Sequence, residues 1–390
     1  MIFMNLIEIP YIDELIALRR DIHAHPETAF QENRTAGIVA REMERFGIAV
    51  HRGVGKTGVV GVLKAGDAAR SIGLRADIDA LPLAEHNEFN HRSVCPNIMH
   101  ACGHDGHAVM LLGAARYLAG RKDFDGTVVF IFQPAEEGEG GALEMIKDGL
   151  FQRFPMDSVY GLHNWPGIAE GEMAVFAGPV MAGINRFEIT LQGRGGHAAL
   201  PHLADDVIVA AGQLATSLQT VTSRNLHPAE TAVVSVTRFD AGSAWNVLPE
   251  DAMLRGAMRA FTSETQNAME AAITRLANGT ASAYGANVEV KFTHIDLPTV
   301  NTAAEAELCF DVACGILGKD KVSNKPQPSM ASEDFSRLLK QRPGCYVWLG
   351  NGTETAGCAL HSPRYDFNDE IIPIGITYWA RLAQTLLAAR

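Results

Sequence analysis

The 390-residue sequence predicts an α/β fold, in which a β-sheet flanked by helices is interrupted by a smaller α+β domain. Short apolar runs bounded by Gly or charged residues alternate with segments of helical periodicity, which is typical of such a sheet. The chain exceeds the usual size of one domain, and 47% hydrophobic residues suffice for more than one core. Because the pattern changes near 179 and returns near 295, we expect a discontinuous domain, 1–178 with 295–390, around an inserted domain, 179–294.

The outer domain is predicted from its alternating elements. Helices are predicted at 12–22, 36–46, 108–119, 142–147, 303–317 and 369–389. Strands are predicted at 59–63, 72–76, 127–132, 158–162 and 346–349. The strands are rich in β-branched and aromatic residues, as expected of buried strands.

The inserted domain has a different pattern. In residues 185–192 apolar Phe187, Ile189 and Leu191 alternate with polar residues, which predicts a half-exposed strand. The following elements are predicted at 205–221 (helix), 231–238 and 252–258 (strands), 264–284 (helix) and 288–292 (strand). The order β-α-β-β-α-β is that of a ferredoxin-like unit.

Charge and composition exclude several classes of partner. The net charge of −12 disfavours nucleic acid and anionic membrane surfaces. No apolar run approaches the roughly 20 residues of a membrane span, and we expect no secretion signal at the N-terminus. The six cysteines are scattered along the chain, which argues against a disulfide framework and for the cytoplasm.

A cluster of potential metal ligands lies at 99–107, before a predicted buried helix. Cys102 and His104 are two residues apart, so their side chains can point the same way, and Gly103 allows a tight turn between them. A thiolate and an imidazole suit a borderline-soft ion such as zinc. The alternative is a helix cap by Asp105 with incidental histidines.

Other candidate ligands follow predicted strands or precede the last helix. Glu136 and Glu137 come directly after one strand, His163 follows another, and His361 lies in a late loop. Ligands gather at the carboxyl ends of strands in open α/β sheets. The predicted ligand set has five members: Cys102, His104, Glu137, His163 and His361. One zinc needs fewer ligands, so the set suggests two metals; a solvated Glu pair and structural histidines are the alternatives.

Four further residues are candidates for supporting roles. Asp79, after another strand, is placed to orient a ligand from behind, although a turn before Pro82 is the alternative. His197 lies in a glycine-rich turn of the inserted domain. Asn246 and Arg259 adjoin apolar residues, and an arginine suits a substrate carboxylate; turn formation and a surface charge are the alternatives.

One motif is rejected. Gly55-Lys56-Thr57 resembles the end of a phosphate-binding loop. Val50 stands where that motif requires its leading glycine, so no phosphate site is predicted there.

Eight stretches, in chain order, resemble the M20 metallopeptidases, in the branch with hippurate hydrolases, N-acyl-amino-acid amidohydrolases and auxin-conjugate hydrolases. They are 20–27, 76–82, 99–107, 133–138, 161–163, 195–199, 246–249 and 332–335. The resemblance spans almost the whole chain. It is highly specific for the family and weakly specific for the substrate.

The resemblance implies a zinc-peptidase-like catalytic domain with a mixed sheet and a dinuclear metal site, and an inserted lid that also dimerises. The predicted ligand set would hold two divalent ions per subunit, zinc or manganese first, with cobalt or nickel as alternatives. Glu136 would be the general base, and His197 would stabilise the oxyanion in the neighbouring subunit's site. Asn246 and Arg259 would bind substrate.

The predicted activity is hydrolysis of the amide bond of an N-acyl amino acid, such as hippurate, by metal-activated water. The expected partner is that small molecule, and the expected assembly is a homodimer or homotetramer. A dipeptidase or aminopeptidase is the first alternative. A metal-binding regulatory protein without turnover is the second, and the intact Glu136 disfavours it.

Overall fold

The structure, a computed structural model, describes residues 5–352 and 359–389. Cys358, one of the six cysteines, lies outside the described residues. The α-helices of the described residues are α1 (Ile12–Ala24), α2 (Asn33–Arg45), α3 (His104–Arg121), α4 (Gly141–Lys147), α5 (Leu150–Arg153), α6 (Val207–Ser217), α7 (Ser263–Ala283), α8 (Ala303–Leu317), α9 (Ser336–Leu339) and α10 (Ile372–Leu386).

The strands of the described residues include several that the sequence pattern did not predict. They are β1 (Ala49–Val54), β2 (Gly58–Ala65), β3 (Ser71–Asp77), β4 (Gly126–Gln133), β5 (Ser158–Trp165), β6 (Met173–Ala174), β7 (Gly178–Met181), β8 (Gly183–Gln192), β9 (Gly196–His197), β10 (Ala232–Ala241), β11 (Val247–Leu248), β12 (Asp251–Ala260), β13 (Asn287–Asp296), β14 (Thr299–Asn301), β15 (Val322–Ser323) and β16 (Gly344–Gly350). The unpredicted ones are short or, like β1, largely exposed, so they lack a run of apolar residues.

The described chain divides into two compact units. Unit 1 comprises Met1–Gly178, Val300–Gln327 and Asp334–Arg390, and unit 2 comprises Pro179–Thr299 with Pro328–Glu333. Unit 2 therefore extends past the expected end at residue 294 and includes a separate segment, Pro328–Glu333. This segment belongs to unit 2 because its backbone pairs there: Ser329 N–H donates to Val180 O at 3.0 Å.

Unit 1 is built on a mixed eight-stranded sheet in the order β1-β2-β4-β3-β5-β16-β6-β15. Its central strands β4, β3, β5 and β16 run parallel, so their carboxyl ends lie at one edge of the sheet. The α/β fold with a mixed sheet is as predicted. The side chains of these central strands are almost entirely buried, which explains their continuous apolar sequence.

Helix α3 lies at the centre of unit 1. Residues 108–115 are apolar on all sides of the helix, and every residue from His104 to Ala115 is buried, as expected of a core helix. It packs against α1, α10 and β3. Because α3 begins at His104, the core of this unit also fixes residues 104–107, the end of the predicted metal-binding stretch.

Unit 2 contains a four-stranded antiparallel sheet in the order β10-β12-β8-β13, with helices α6 and α7. This order is that of the predicted ferredoxin-like unit. Phe187, Ile189 and Leu191 of β8 are buried in the core of the unit, whereas their polar neighbours are not. The alternation in the sequence thus identified the buried face correctly. Among the described residues no helix has the length and apolar character needed to cross a membrane.

Candidate metal centre

The stretch that carries Cys102 and His104 is a tight turn into α3. Gly103 has φ +96°, a left-handed conformation, and a Cβ there would lie 2.2 Å from Asn164 Oδ1. Only glycine fits this position. The buried Cys102 Sγ lies 3.4 Å from Nε2 of His163, which is near the carboxyl end of β5.

The two buried histidines are oriented by hydrogen bonds at Nδ1. His163 Nδ1–H donates to Asn164 O at 2.6 Å, which directs Nε2 towards Cys102. His104 Nδ1–H donates to Asp79 O at 2.9 Å and lies 3.2 Å from Asp79 Oδ1. His104 Nε2 is buried without a hydrogen-bond partner among the described residues. An orphaned imidazole nitrogen of this kind suits a metal ion.

The two glutamates lie on the loop after β4. Glu137 N–H donates to Asp79 Oδ2 at 3.1 Å, so Asp79 contacts both this loop and His104. His361 Nε2 lies 3.2 Å from Glu137 Oε1, which brings the late loop to the same place. Glu136, in contrast to its partly buried neighbour, is buried.

The predicted ligands form overlapping groups, in each of which the donor atoms lie within 4.8 Å of one another. Three of the five groups consist only of the predicted ligands and Glu136: Cys102 with His104 and His163, Cys102 with Glu137 and His361, and His104 with Glu136 and Glu137. All five members of the predicted set, and Glu136 beside them, are therefore brought together. Thiol, imidazole and carboxylate donors fit divalent ions such as zinc, which supports a metal site here.

The electrostatics of the cluster favour a cation. Burial raises the pKa of the Cys102 thiol, and the nearby carboxylates of Glu137 and Glu136 raise it further. Burial alone would lower the pKa of His104, but Asp77 and Asp79 outweigh that effect and raise it to about 10. A bound divalent ion would offset the negative charge of these carboxylates.

A second layer of buried polar residues, which the sequence pattern did not identify as functional, lies behind these side chains. His107 Nδ1–H donates to Asp77 Oδ1 at 2.6 Å, and His107 Nε2 lies 2.7 Å from Asn164 Oδ1. Arg75 donates to Asp77 Oδ2 at 2.8 Å. The one available signal was the spacing of His104 and His107, which places both on one face of α3.

In unit 2, two of the three predicted residues lie on one ribbon. β9 and β11 pair, with His197 opposite Val247, and Ala198 N–H donates to Asn246 O at 3.1 Å. His197 and Asn246 are both exposed. Arg259 lies instead near the end of β12 in the four-stranded sheet, half-buried, where it donates to Met330 O at 2.7 Å.

Comparison with known proteins assigns the family. Residues 73–385 match the sequence profile described as Peptidase family M20/M25/M40. The chain belongs to this family. It is thus a hydrolase, as the resemblance implied.

Named relatives of this M20 protein cover nearly its whole length. Hippurate hydrolase of Campylobacter jejuni is 40% identical over 370 residues, which are 95% of this chain and 96% of the relative. N-acetylcysteine deacetylase of Bacillus subtilis is 39% identical over 376 residues, 96% and 97% of the two chains. Both names belong to the amidohydrolase branch that the sequence motifs resemble.

A solved structure agrees with this assignment. A dinuclear metal-binding peptidase of the M20 family from Bacillus subtilis superposes with a TM-score of 0.86 at 34% identity, over 97% of this chain and 98% of the other. The fold of this M20 protein is therefore that of a dinuclear metal-binding relative.

Proposed function

We propose that this M20 protein hydrolyses the amide bond of N-acyl amino acids of the hippurate type. The observation that carries the proposal is the position of Glu136, a buried carboxylate within one cluster of ligand-type side chains. The hippurate hydrolase and N-acetylcysteine deacetylase relatives support an acyl group on the substrate's amine.

The metal part of the proposal assigns two divalent ions to the predicted ligand set. Cys102, His104 and Glu137 each belong to at least two of the donor groups, so these three would hold the ions together with His163 and His361. Zinc or manganese is proposed first, with cobalt or nickel as alternatives, because these donor types select only loosely among such metals. Asp79 would orient His104 and the Glu137 backbone.

The proposed mechanism uses Glu136 as general base and then general acid. Divalent ions held by these residues would supply Lewis-acid chemistry, which can lower the pKa of a water molecule from 15.7 to about 7. The Glu136 carboxylate takes a proton from the attacking water and returns it to the nitrogen of the leaving amino acid. Its burial beside other polar groups limits competing solvent, which favours a directed proton transfer.

Residues of unit 2 complete the proposal. His197, from the neighbouring subunit, would donate to the oxygen that gains negative charge in the tetrahedral intermediate. Asn246 would hydrogen-bond the substrate, and Arg259 would pair with its carboxylate. In this proposal the inserted domain is a lid and a dimerisation domain.

The proposed assembly is a homodimer through unit 2, with a homotetramer as the alternative. Strand β10 is an edge strand of the unit 2 sheet, and unpaired edges invite pairing with another chain. Large apolar side chains are exposed on β10 and the loop after it, namely Val233, Phe239 and Trp245, the last 95% exposed. The proposed partner at this edge is a second copy of the chain, because a two-fold dimer would cover the β10 edges of both subunits at once.

The proposed compartment is the cytoplasm. The five cysteines of the described residues are all unpaired. Buried thiols such as Cys102 are kept reduced in that compartment.

The role of Glu136 is tested with Glu136→Gln. Because the amide cannot take up a proton, we expect kcat to fall by about 10²–10⁴-fold while bound metal, measured by elemental analysis, is unchanged. The matched control is Glu139→Gln, an exposed residue of the same loop, which is expected to retain activity. Full activity of Glu136→Gln with metals bound would mean that another group is the base.

The substrate class is tested with a panel of substrates. The enzyme is stripped by a chelator, each metal is added back, and hydrolysis of hippurate, N-acetyl amino acids and unblocked dipeptides is compared. We expect the N-acyl amino acids to give the higher kcat/KM. A preference for dipeptides with a free amino group would instead support the dipeptidase or aminopeptidase alternative.

A further inference from the structure

The loop that carries Glu136 and Glu137 contains a backbone conformation that its residue type disfavours. Ala135, directly after Pro134, has φ +53°, in the left-handed region that side chains other than glycine rarely adopt. The loop is closed tightly, since Gly141 N–H donates to Ala135 O at 2.9 Å. A strained residue next to a candidate catalytic base requires a surrounding contact that holds it.

Glu32 supplies that contact. Its side chain is fully buried, and Oε1 accepts hydrogen bonds from Ala135 N–H at 2.9 Å and Phe30 N–H at 3.0 Å. Oε2 accepts from the hydroxyl of Thr57 at 2.5 Å. Thr57, the last residue of the rejected phosphate-loop motif, thus holds a carboxylate in place.

Helix α2 does not account for this buried carboxylate. Glu32 is the residue before α2, but its side chain makes no capping hydrogen bond. Glu27 takes that role instead, accepting from Arg34 N–H at 2.9 Å and Thr35 N–H at 2.8 Å. Burying a carboxylate costs free energy of desolvation. Because Glu32 does not cap α2, its hydrogen bond with Ala135 N–H gives this buried side chain a different role.

The ends of the loop are held separately. Asp334 accepts from the Gln133 side chain at 2.7 Å and from Ala142 N–H at 2.9 Å, at the start of α4. Removal of the Glu32 side chain should therefore disturb the interior of the loop without unfolding β4 or α4.

We propose that Glu32 is a positioning residue that holds Ala135 in its left-handed conformation and so sets the direction of the Glu136 and Glu137 side chains. The consequence for catalysis rests on the proposed roles of those two glutamates. Burial raises the pKa of Glu32. Gln at this position keeps an acceptor for Ala135 N–H.

The test is a double-mutant cycle between Glu32→Ala and Ala135→Gly. Glu32→Ala leaves the buried Ala135 N–H unpaired, and we expect kcat at saturating metal and substrate to fall about tenfold or more, with Glu32→Gln recovering most of it. Glycine adopts φ +53° without steric cost, so the loss caused by Glu32→Ala should be several-fold smaller in the Ala135→Gly background.

A second measurement does not depend on activity. Hydrogen exchange of the amides of 134–141 is followed in the metal-free protein, and Glu32→Ala should accelerate it in this segment and leave β4 unchanged. The matched control is Glu27→Ala, which removes a carboxylate with two similar backbone contacts. It should accelerate exchange at the start of α2 and leave kcat of the folded enzyme within about twofold.

Several outcomes would overturn the proposal. They are an unchanged kcat for Glu32→Ala, additive effects in the cycle, or exchange that rises throughout unit 1. If Glu32→Ala does not fold, the isosteric Thr57→Val replaces it in the cycle. This variant removes the hydrogen bond from the Thr57 hydroxyl to Glu32 Oε2, so the Glu32 carboxylate is held less firmly. Glu136→Gln is assayed in parallel. If this variant stays active, Glu136 is not the general base, and hydrogen exchange of the amides of 134–141 then decides by itself whether Glu32 holds the loop.

Discussion

At the scale of single residues, four of the five predicted ligands donate a hydrogen bond to a neighbour that is not itself a predicted ligand; they are His104, Glu137, His163 and His361. Asp79 is the clearest case, because one oxygen lies by His104 Nδ1 and the other accepts the Glu137 N–H. Such contacts select the imidazole tautomer and aim the other nitrogen. If the predicted ligands hold a metal, its affinity should therefore depend on residues that do not touch the ion.

Asp79→Asn is expected to lower metal affinity by about 10–100-fold, because its amide can accept only one of the two N–H groups. The measurement is a metal titration of the stripped protein. The control is Asp125→Asn, since Asp125 Oδ1 accepts from Asp67 N–H and Ala68 N–H at 2.9 and 2.8 Å in unit 1, away from the ligand set. Equal affinity for the two variants would contradict the role of Asp79.

A buried ion network next to α3 gives a residue-scale pH effect. His23 donates to Asp105 at 2.9 Å and to Glu85 at 3.2 Å, with Arg19 also beside Asp105. Burial lowers the pKa of His23, but the two carboxylates outweigh burial and the repulsion of Arg19 and raise the pKa to about 9. His91 and His100 also face this imidazole.

Because the folded pKa exceeds the unfolded value of 6.5, His23 stabilises the fold fully below pH 6.5, and this contribution is lost as pH rises through about 9. His23→Gln should therefore reduce the free energy of unfolding most at pH 6, by on the order of 2–3 kcal/mol, and least at pH 9.5. Urea unfolding at both values measures it. His25→Gln is the control, since its pair with Asp21 is exposed to solvent; a pH-independent loss for His23→Gln would contradict the assignment.

At the scale of elements, α3 has two roles. Its apolar sides form the core of unit 1, and its N-terminus begins at a predicted ligand, His104. The turn before it depends on Gly103, whose missing side chain makes room for Asn164. We therefore expect stability and metal binding to be coupled through Gly103.

Two glycines of this stretch are expected to respond in opposite directions to alanine. Gly103→Ala is strained at φ +96° and collides with Asn164, so it should lower the melting temperature and abolish tight metal binding. Gly120→Ala, exposed near the end of α3 with no neighbouring atom within 4 Å of the added Cβ, should stabilise by about 0.5–1 kcal/mol. Thermal unfolding with and without metal measures both; a Gly103→Ala protein with normal metal affinity would refute the steric argument.

At the scale of the whole molecule, the predicted catalytic residues are divided between two units. Glu136 and the predicted ligand set belong to unit 1, whereas His197, Asn246 and Arg259 belong to unit 2. If His197 acts in the site of the partner subunit, activity requires a dimer. This dependence can be tested without knowledge of the interface.

Glu136→Gln and His197→Ala should complement each other in a mixed dimer. Each variant alone is expected to be nearly inactive, but a mixed dimer has one site with both Glu136 and His197 intact. After subunit exchange of equal amounts, about a quarter of wild-type activity should return, since half of the dimers are mixed and each has one intact site. No recovery, with exchange verified by light scattering of tagged subunits, would place His197 in the site of its own subunit.

Local patterns sufficed to predict much of this protein. Continuous apolar runs identified the central strands of unit 1, and alternation in 185–192 identified the buried face of β8. The ligand-type residues at strand ends could be predicted because parallel strands bring their carboxyl ends to one edge. These inferences use residue types and short spacings, which the chain displays directly.

The tertiary structure alone decided the contacts that aim those residues. Glu32 and Ala135 are 103 residues apart, and His107 and Asn164 are 57 apart, with no spacing rule to connect them. Each pair depends on how separate elements pack, and the strain at Ala135 is visible only in its backbone angle. The sequence therefore determined which chemical groups are present and at which sheet edge, whereas packing determined which nitrogen or oxygen of each group is available.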